Sequence, residues 1–254
     1  MLPSAGYLRA VRLLRDSVRD FNVYPFSIPS IGSLDELELD AKVTFLIGEN
    51  GSGKSTLIEA IAVLAGFNAE GGSKNFHFGT RRSESALHKF MRPVRSHRRQ
   101  RDGFFLRAES YFNVATEIER LDSGGGGPPI IDSYGGVSLH EQSHGESFLA
   151  LATHRFGGEG LYILDEPEAA LSPQRQLALL SIINEHVEER GSQFVVATHS
   201  PILMAYPNAL IYRLGPNGID RVAYEDTEHY RITRDFLNSP ERYFKTLFRR
   251  SDDE

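Results

Sequence analysis

Apolar and polar positions alternate along residues 7–14, the period of a strand with one buried face. Pro25, Pro29 and Gly32 interrupt residues 21–34, which read as an extended connection. The run Lys42-Val43-Thr44-Phe45-Leu46-Ile47 predicts a strand, and Leu57-Ile58-Glu59-Ala60-Ile61-Ala62-Val63-Leu64 predicts a helix. Gly, Ser and Asn dominate residues 66–80, which predict loops around the stretch Phe76-His77-Phe78. Residues 103–108 predict a strand and residues 111–121 a helix, and Ser123-Gly124-Gly125-Gly126-Gly127-Pro128-Pro129 reads as a flexible or exposed connector. The second half is more regular. Residues 146–156 suit a helix, and residues 160–164 and 193–197 suit strands covered on both faces. Ser172-Pro173 is an N-cap followed by proline at the first helical position, so a helix is expected from there to Arg190, ending at Gly191. Residues 209–214 and 219–224 resemble a hairpin around Gly215-Pro216-Asn217-Gly218, and residues 229–250 are mostly helical. Strands alternating with helices predict an α/β fold with a mainly parallel sheet. The chain shows no internal repeat and no heptad run.

Between the strand at 42–47 and the helix at 57–64 lies Gly48-Glu49-Asn50-Gly51-Ser52-Gly53-Lys54-Ser55-Thr56, a full match to the phosphate-loop pattern in the strand–loop–helix setting it requires. Gly48, Gly51 and Gly53 let the backbone turn its N–H groups inward around an anion, and the following helix adds its positive end. Lys54 reaches the β- and γ-phosphates, and the Ser55 hydroxyl is a ligand for Mg²⁺. The chain therefore reads as binding a nucleoside triphosphate. The strand Leu161-Tyr162-Ile163-Leu164 ends in Asp165-Glu166-Pro167. Asp165 fits the carboxylate that supports Mg²⁺ from a neighbouring strand, and Glu166 fits a base toward the attacking water. The strand at 193–197 runs into Thr198-His199-Ser200, where His199 is either a γ-phosphate contact or a structural histidine. In Gln142-Ser143-His144-Gly145-Glu146-Ser147, Ser143 is either an ordinary helix cap or part of a second anion site serving another copy of the chain.

The order of these elements resembles an ABC-type ATPase head over roughly residues 7–215, closer to the SMC, RecF and SbcC-like heads than to transporter subunits. More narrowly it is similar to small stand-alone bacterial ATPases of the AAA-labelled, SMC-like kind. The resemblance implies a phosphate-loop NTPase of ABC-ATPase type: a mainly parallel sheet, an antiparallel β part and a small helical lobe. It implies one domain over residues 1–254, with residues 75–157 as the lobe. It also implies a head-to-tail homodimer with two ATPs between subunits. On that footing residues 48–56 bind ATP, with Lys54, Ser55 and Thr56 on phosphates and Mg²⁺; Asp165 supports the metal, Glu166 is the catalytic base and His199 the γ-phosphate switch. Ser143 and Gly145 contact the ATP of the opposite subunit, and Glu168-Ala169-Ala170-Leu171-Ser172 falls at the dimer-spanning loop. The sequence departs from the pattern in places. His144 replaces a usual glycine, and no glutamine stands at the Mg²⁺-contacting loop, where Glu109 or Ser110 is a substitute. Tyr24 and Phe26 are the candidates for an adenine-stacking aromatic. About 86 residues separate Thr56 from Ser143, too few for a long coiled coil.

Composition narrows the setting. A 254-residue chain without cysteine has no disulfide framework and no thiolate zinc site, which fits a reducing, cytoplasmic compartment. Residues 1–6 lack the pattern of a signal peptide, and no apolar run is long enough to span a bilayer, so no direct membrane insertion is expected. The net charge of −6 argues against blanket nucleic-acid binding, yet residues 81–107 carry nine Lys/Arg against two acids. That segment reads as a surface for DNA phosphates, or as a solvated loop or a site for an acidic partner protein. The leading function is an ATP-gated clamp or switch on DNA or an effector protein in repair, maintenance or defence. The alternative is the cytoplasmic ATPase subunit of a transporter. A small-molecule kinase or GTPase fits less well, because the chain has no Asn-Lys-x-Asp guanine motif.

Overall fold

The computed structural model describes residues 6–73, 85–108 and 144–248, together with residues 116, 120, 131, 132 and 136. The stretch at Phe76, most of the helix expected over 111–121, the glycine-rich connector, Glu109, Ser110 and Ser143 lie outside the described residues. The strands are β1 (Leu8–Leu13), β2 (Glu36–Glu38), β3 (Val43–Ile47), β4 (Met91–Arg95), β5 (Asp102–Arg107), β6 (Gly160–Asp165), β7 (Gln193–Ala197), β8 (Leu210–Gly215) and β9 (Gly218–Arg221). The longer helices are α1 (Lys54–Ala65), α2 (His144–Arg155), α3 (Pro173–Glu188), α4 (Glu228–Asn238) and α5 (Pro240–Leu247).

The main sheet has the order β5-β6-β7-β3-β8-β9, parallel throughout except for the β8–β9 hairpin. The side-chain period of two divides its core into two faces. Phe45, Phe104, Tyr162, Phe194 and their same-face neighbours pack on α2 and α3. Leu46, Phe105, Ile163 and Val195 point the other way, onto α1 and a small antiparallel sheet of order β2-β1-β4. Thus the strands at 42–47, 103–108, 160–164 and 193–197, the helices at 57–64, 146–156 and 172–190, and the 209–224 hairpin are all present, as is the mainly parallel α/β architecture.

The basic stretch conceals a strand. Met91–Arg95 pairs with β1 although it holds Arg92, Pro93 and Arg95, because it lies at the sheet's edge, where proline's missing N–H is tolerated. The connection at 21–34 contains a helical turn, Pro29–Gly32. The C-terminal helices α4 and α5 have no buried residue, and Ile232, Leu237, Phe244 and Leu247 are exposed along them. Among the described residues no helix is long and apolar enough to cross a membrane.

At the end of the sheet away from the phosphate loop, Asp102 ties β5 to β6 and α2. It accepts from the Gly157 N–H at 2.7 Å, the Tyr162 hydroxyl at 2.8 Å and the Arg155 guanidinium at 3.0 Å. Burial pushes the Asp102 carboxyl up, but these donors together hold it below the ordinary carboxylate value. A lowered folded-state value contributes stability above the unfolded value near 4 and loses it as pH falls through the folded value. Asp102→Asn is therefore expected to flatten the acid limb of the stability profile, measured by urea unfolding from neutral pH to about pH 3. An acid limb as steep as that of the unmodified protein would contradict this.

Candidate functional site

The register of the parallel strands builds the site. Leu46 of β3 is level with Ala197 of β7, and Ala197 is level with Asp165 of β6. The residues that follow each strand therefore emerge side by side at one edge: the phosphate loop, Thr198-His199 and Asp165-Glu166. Backbone bonds lock the alignment, with Thr198 N donating to Leu46 O at 3.1 Å and Glu166 N to Ala197 O at 2.9 Å.

The loop has the backbone its glycines permit. Gly48, Gly51 and Gly53 have φ of 148°, 80° and 96°. A Cβ on Gly48 would collide with the Leu214 carbonyl oxygen, so this close approach to β8 also demands glycine. Gly53 caps α1, whose first residue is Lys54 and second Ser55. Lys54 is buried, and its ammonium donates to the carbonyls of Gly48 at 2.8 Å and Glu49 at 3.1 Å, within the concavity of the loop. Burial pushes the Lys54 ammonium below the ordinary lysine value, while Glu166, Asp165, Glu49 and Glu168 pull it part of the way back. Ser52 Oγ is buried with no hydrogen-bond partner among the described residues. This donor-rich cradle fits phosphate oxygens, and the hard oxygen set of Ser55 and Asp165 fits Mg²⁺.

Glu166 stands in the left-handed region at φ 51°, uncommon for a residue with a side chain and tolerated where the surroundings fix it. Its Oε1 lies 3.5 Å from His199 Nε2. Glu168 accepts from Thr198 Oγ1 at 2.8 Å and from the His199 N–H at 2.5 Å, which places it as a brace for the histidine loop. Of the two aromatic candidates, Phe26 is buried and packs edge-on against Phe90 at 5.1 Å. Tyr24 is exposed, with its hydroxyl 3.4 Å from Thr56 Oγ1. Gly145 lies in the first turn of α2, buried against Arg175 and the Ala170 carbonyl.

Two residues at this edge carry no motif signal. Arg107, counted above in the basic segment, is turned inward at the end of β5. It pairs with Glu59 of α1 at 2.8 Å and Asp165 at 3.3 Å, with side-chain exposures of 17%, 11% and 6%. Breaking a buried pair leaves an uncompensated carboxylate, so Arg107→Ala is expected to cost about 3 kcal/mol, a fall of roughly 6–12 °C in Tm by calorimetry. A change below about 1 °C would show that the pair is idle. The second residue is His229, at the start of α4. Its Nε2 lies 3.2 Å from His199 Nδ1, and it lines a cleft of about 480 Å³ with Gly48–Ser52 and the β8–β9 turn.

The fold and this edge define an α/β phosphate-loop nucleotide-binding protein. Residues 22–125 match a family model described as an AAA domain, and residues 130–205 match one described as an AAA domain, putative AbiEii toxin, Type IV TA system. Both descriptions name an AAA domain, in keeping with the phosphate loop at residues 48–56. No curated protein matches the chain. Among solved structures it is similar to the SMC head domain from Thermotoga maritima, at 17% identity over 85% of this chain and 98% of that one, with a TM-score of 0.45. It is also similar to cbiO1 from Clostridium perfringens, part of the ABC transporter complex cbiONQ, at 16% identity over 93% and 97% of the chains, with a TM-score of 0.48.

Proposed function

We propose that this protein is an ATP-hydrolysing head that closes on a second copy of itself when ATP is bound and reopens on hydrolysis, and that this cycle acts on DNA. The observation that carries the reading is the shared edge of β3, β7 and β6, where Lys54, His199, Asp165 and Glu166 meet. In this reading Lys54 and the N–H groups of residues 48–56 balance the phosphate charge. Ser55 and Asp165 hold Mg²⁺, which supplies further positive charge to the phosphate oxygens when bound. Glu166 accepts the proton of the attacking water, and His199 contacts the γ-phosphate. Ser143 and Gly145 serve the ATP of the second copy.

Support for DNA comes from the exposed part of the basic segment. Arg92, Arg95, Arg99 and Arg101 are all exposed. Arg99 and Arg101 directly precede β5 and so lie at the end of the main sheet opposite the phosphate loop, whereas Arg92 and Arg95 lie on β4, the edge strand of the small sheet. Arg95 donates to the Leu64 carbonyl at 2.7 Å and Arg101 pairs with Glu159 at 2.6 Å, contacts weak enough at an exposed surface to yield to a phosphate. The toxin–antitoxin wording of the model matched by residues 130–205 accords with a defence setting.

Steady-state ATP hydrolysis with and without duplex DNA, at low and high salt, tests this. The expected result is stimulation that fades with salt and is lost when the four arginines become glutamate. Hydrolysis indifferent to DNA would replace it with a protein effector.

A further inference from the structure

We propose that His229 is a positioning residue that fixes the tautomer and direction of the His199 ring, so that the C-terminal helix α4 completes the ATP site. This rests on the reading of His199 as the γ-phosphate contact.

The two rings come from separate elements that are fastened together. His199 follows β7 and precedes the helical turn Pro201–Met204. The Tyr224 hydroxyl donates to the Pro201 carbonyl at 2.9 Å. Thr227, fully buried, donates to the Tyr224 carbonyl at 2.7 Å and caps α4 by accepting from Tyr230 N at 3.3 Å. This bracing sets the rings 5.4 Å apart between centroids, with His199 Nδ1 and His229 Nε2 at 3.2 Å.

One of those two nitrogens carries the proton and the other accepts it. Burial first, then the neighbouring His199, push the His229 imidazole below its ordinary value, which favours a neutral ring with a single N–H. If a neutral His199 donated from Nδ1, its bare Nε2 lone pair would face the Glu166 carboxylate oxygen 3.5 Å away, a repulsive pairing. His229 Nδ1 would then carry a buried N–H with no partner among the described residues. The reverse assignment removes both faults. His229 donates from Nε2 to His199 Nδ1, and His199 turns its own Nε2–H toward Glu166. What remains is a buried acceptor on His229 Nδ1, less costly than an orphaned N–H. His199 then offers a donor toward Glu166 and, with ATP in place, toward a γ-phosphate oxygen.

The test is long-range ¹H–¹⁵N NMR of the imidazoles in the full, nucleotide-free chain, with His199 assigned by His199→Gln. The expected spectrum shows His199 as the Nε2–H tautomer in the unmodified protein. His229→Gln keeps an N–H donor and should preserve that tautomer, whereas His229→Ala should give a mixture. ATP turnover should fall at least about tenfold in His229→Ala and recover in His229→Gln. An Nδ1–H tautomer of His199 in the unmodified protein, or an unchanged tautomer in His229→Ala, would overturn the proposal. The tautomer is read without nucleotide, so a protein that turned over no ATP would overturn the reading of the site and not the His229–His199 arrangement.

Discussion

Lys54→Ala is expected to weaken ATP binding by at least about 100-fold, some 2.7 kcal/mol, in isothermal titration calorimetry with Mg²⁺. The ammonium is buried at the first residue of α1 and held on the carbonyls of Gly48 and Glu49. A cation so placed has already lost most of its water, so its interaction with phosphate oxygens is little screened. Its removal would leave the loop N–H groups and the helix end to hold the triphosphate beside Asp165, Glu166, Glu49 and Glu168, whose charges all reach this position. Binding within threefold of the unmodified protein would place the nucleotide elsewhere.

The second large effect is expected at Glu166. Glu166→Gln keeps the shape of the side chain and the backbone bond to Ala197 but removes the capacity to take a proton. ATP turnover should fall by about 100-fold or more, with ATP affinity within about threefold of the original. Glu168 separates this role from a general loss of acidity. Its carboxylate is occupied by Thr198 and the His199 N–H, so Glu168→Gln should disturb the histidine loop and lower turnover by about tenfold, clearly less than Glu166→Gln. Equal losses in the two variants would argue against Glu166 as the base.

The central part of this site was legible because its signals are local. A phosphate loop needs glycine where φ is positive and lysine at the helix start, and both requirements act within a few residues. Strands covered on both faces announce themselves as apolar runs, and the acids and histidine that end them appear directly afterwards. The residues that went unseen act across long separations. Arg107 reads as one more basic residue until β5 and β6 are paired. The available hint was on its partner, since Glu59 interrupts an otherwise apolar stretch of α1 and lies on its buried face. His229 has no hint in its neighbourhood, because its meaning depends on a turn packed beside residue 199. Strand β4 was masked by arginines and a proline that an edge position tolerates. The choice between Tyr24 and Phe26 likewise rests on which ring the fold buries.

The most direct test of an ATP-gated head is the mass of Glu166→Gln in solution, by light scattering, with and without Mg²⁺-ATP. Glu166→Gln is expected at the mass of a single chain, 28.4 kDa, without nucleotide and at twice that mass with it, with Lys54→Ala failing to make the change. A protein saturated with Mg²⁺-ATP that keeps the mass of one chain would contradict an ATP-gated head.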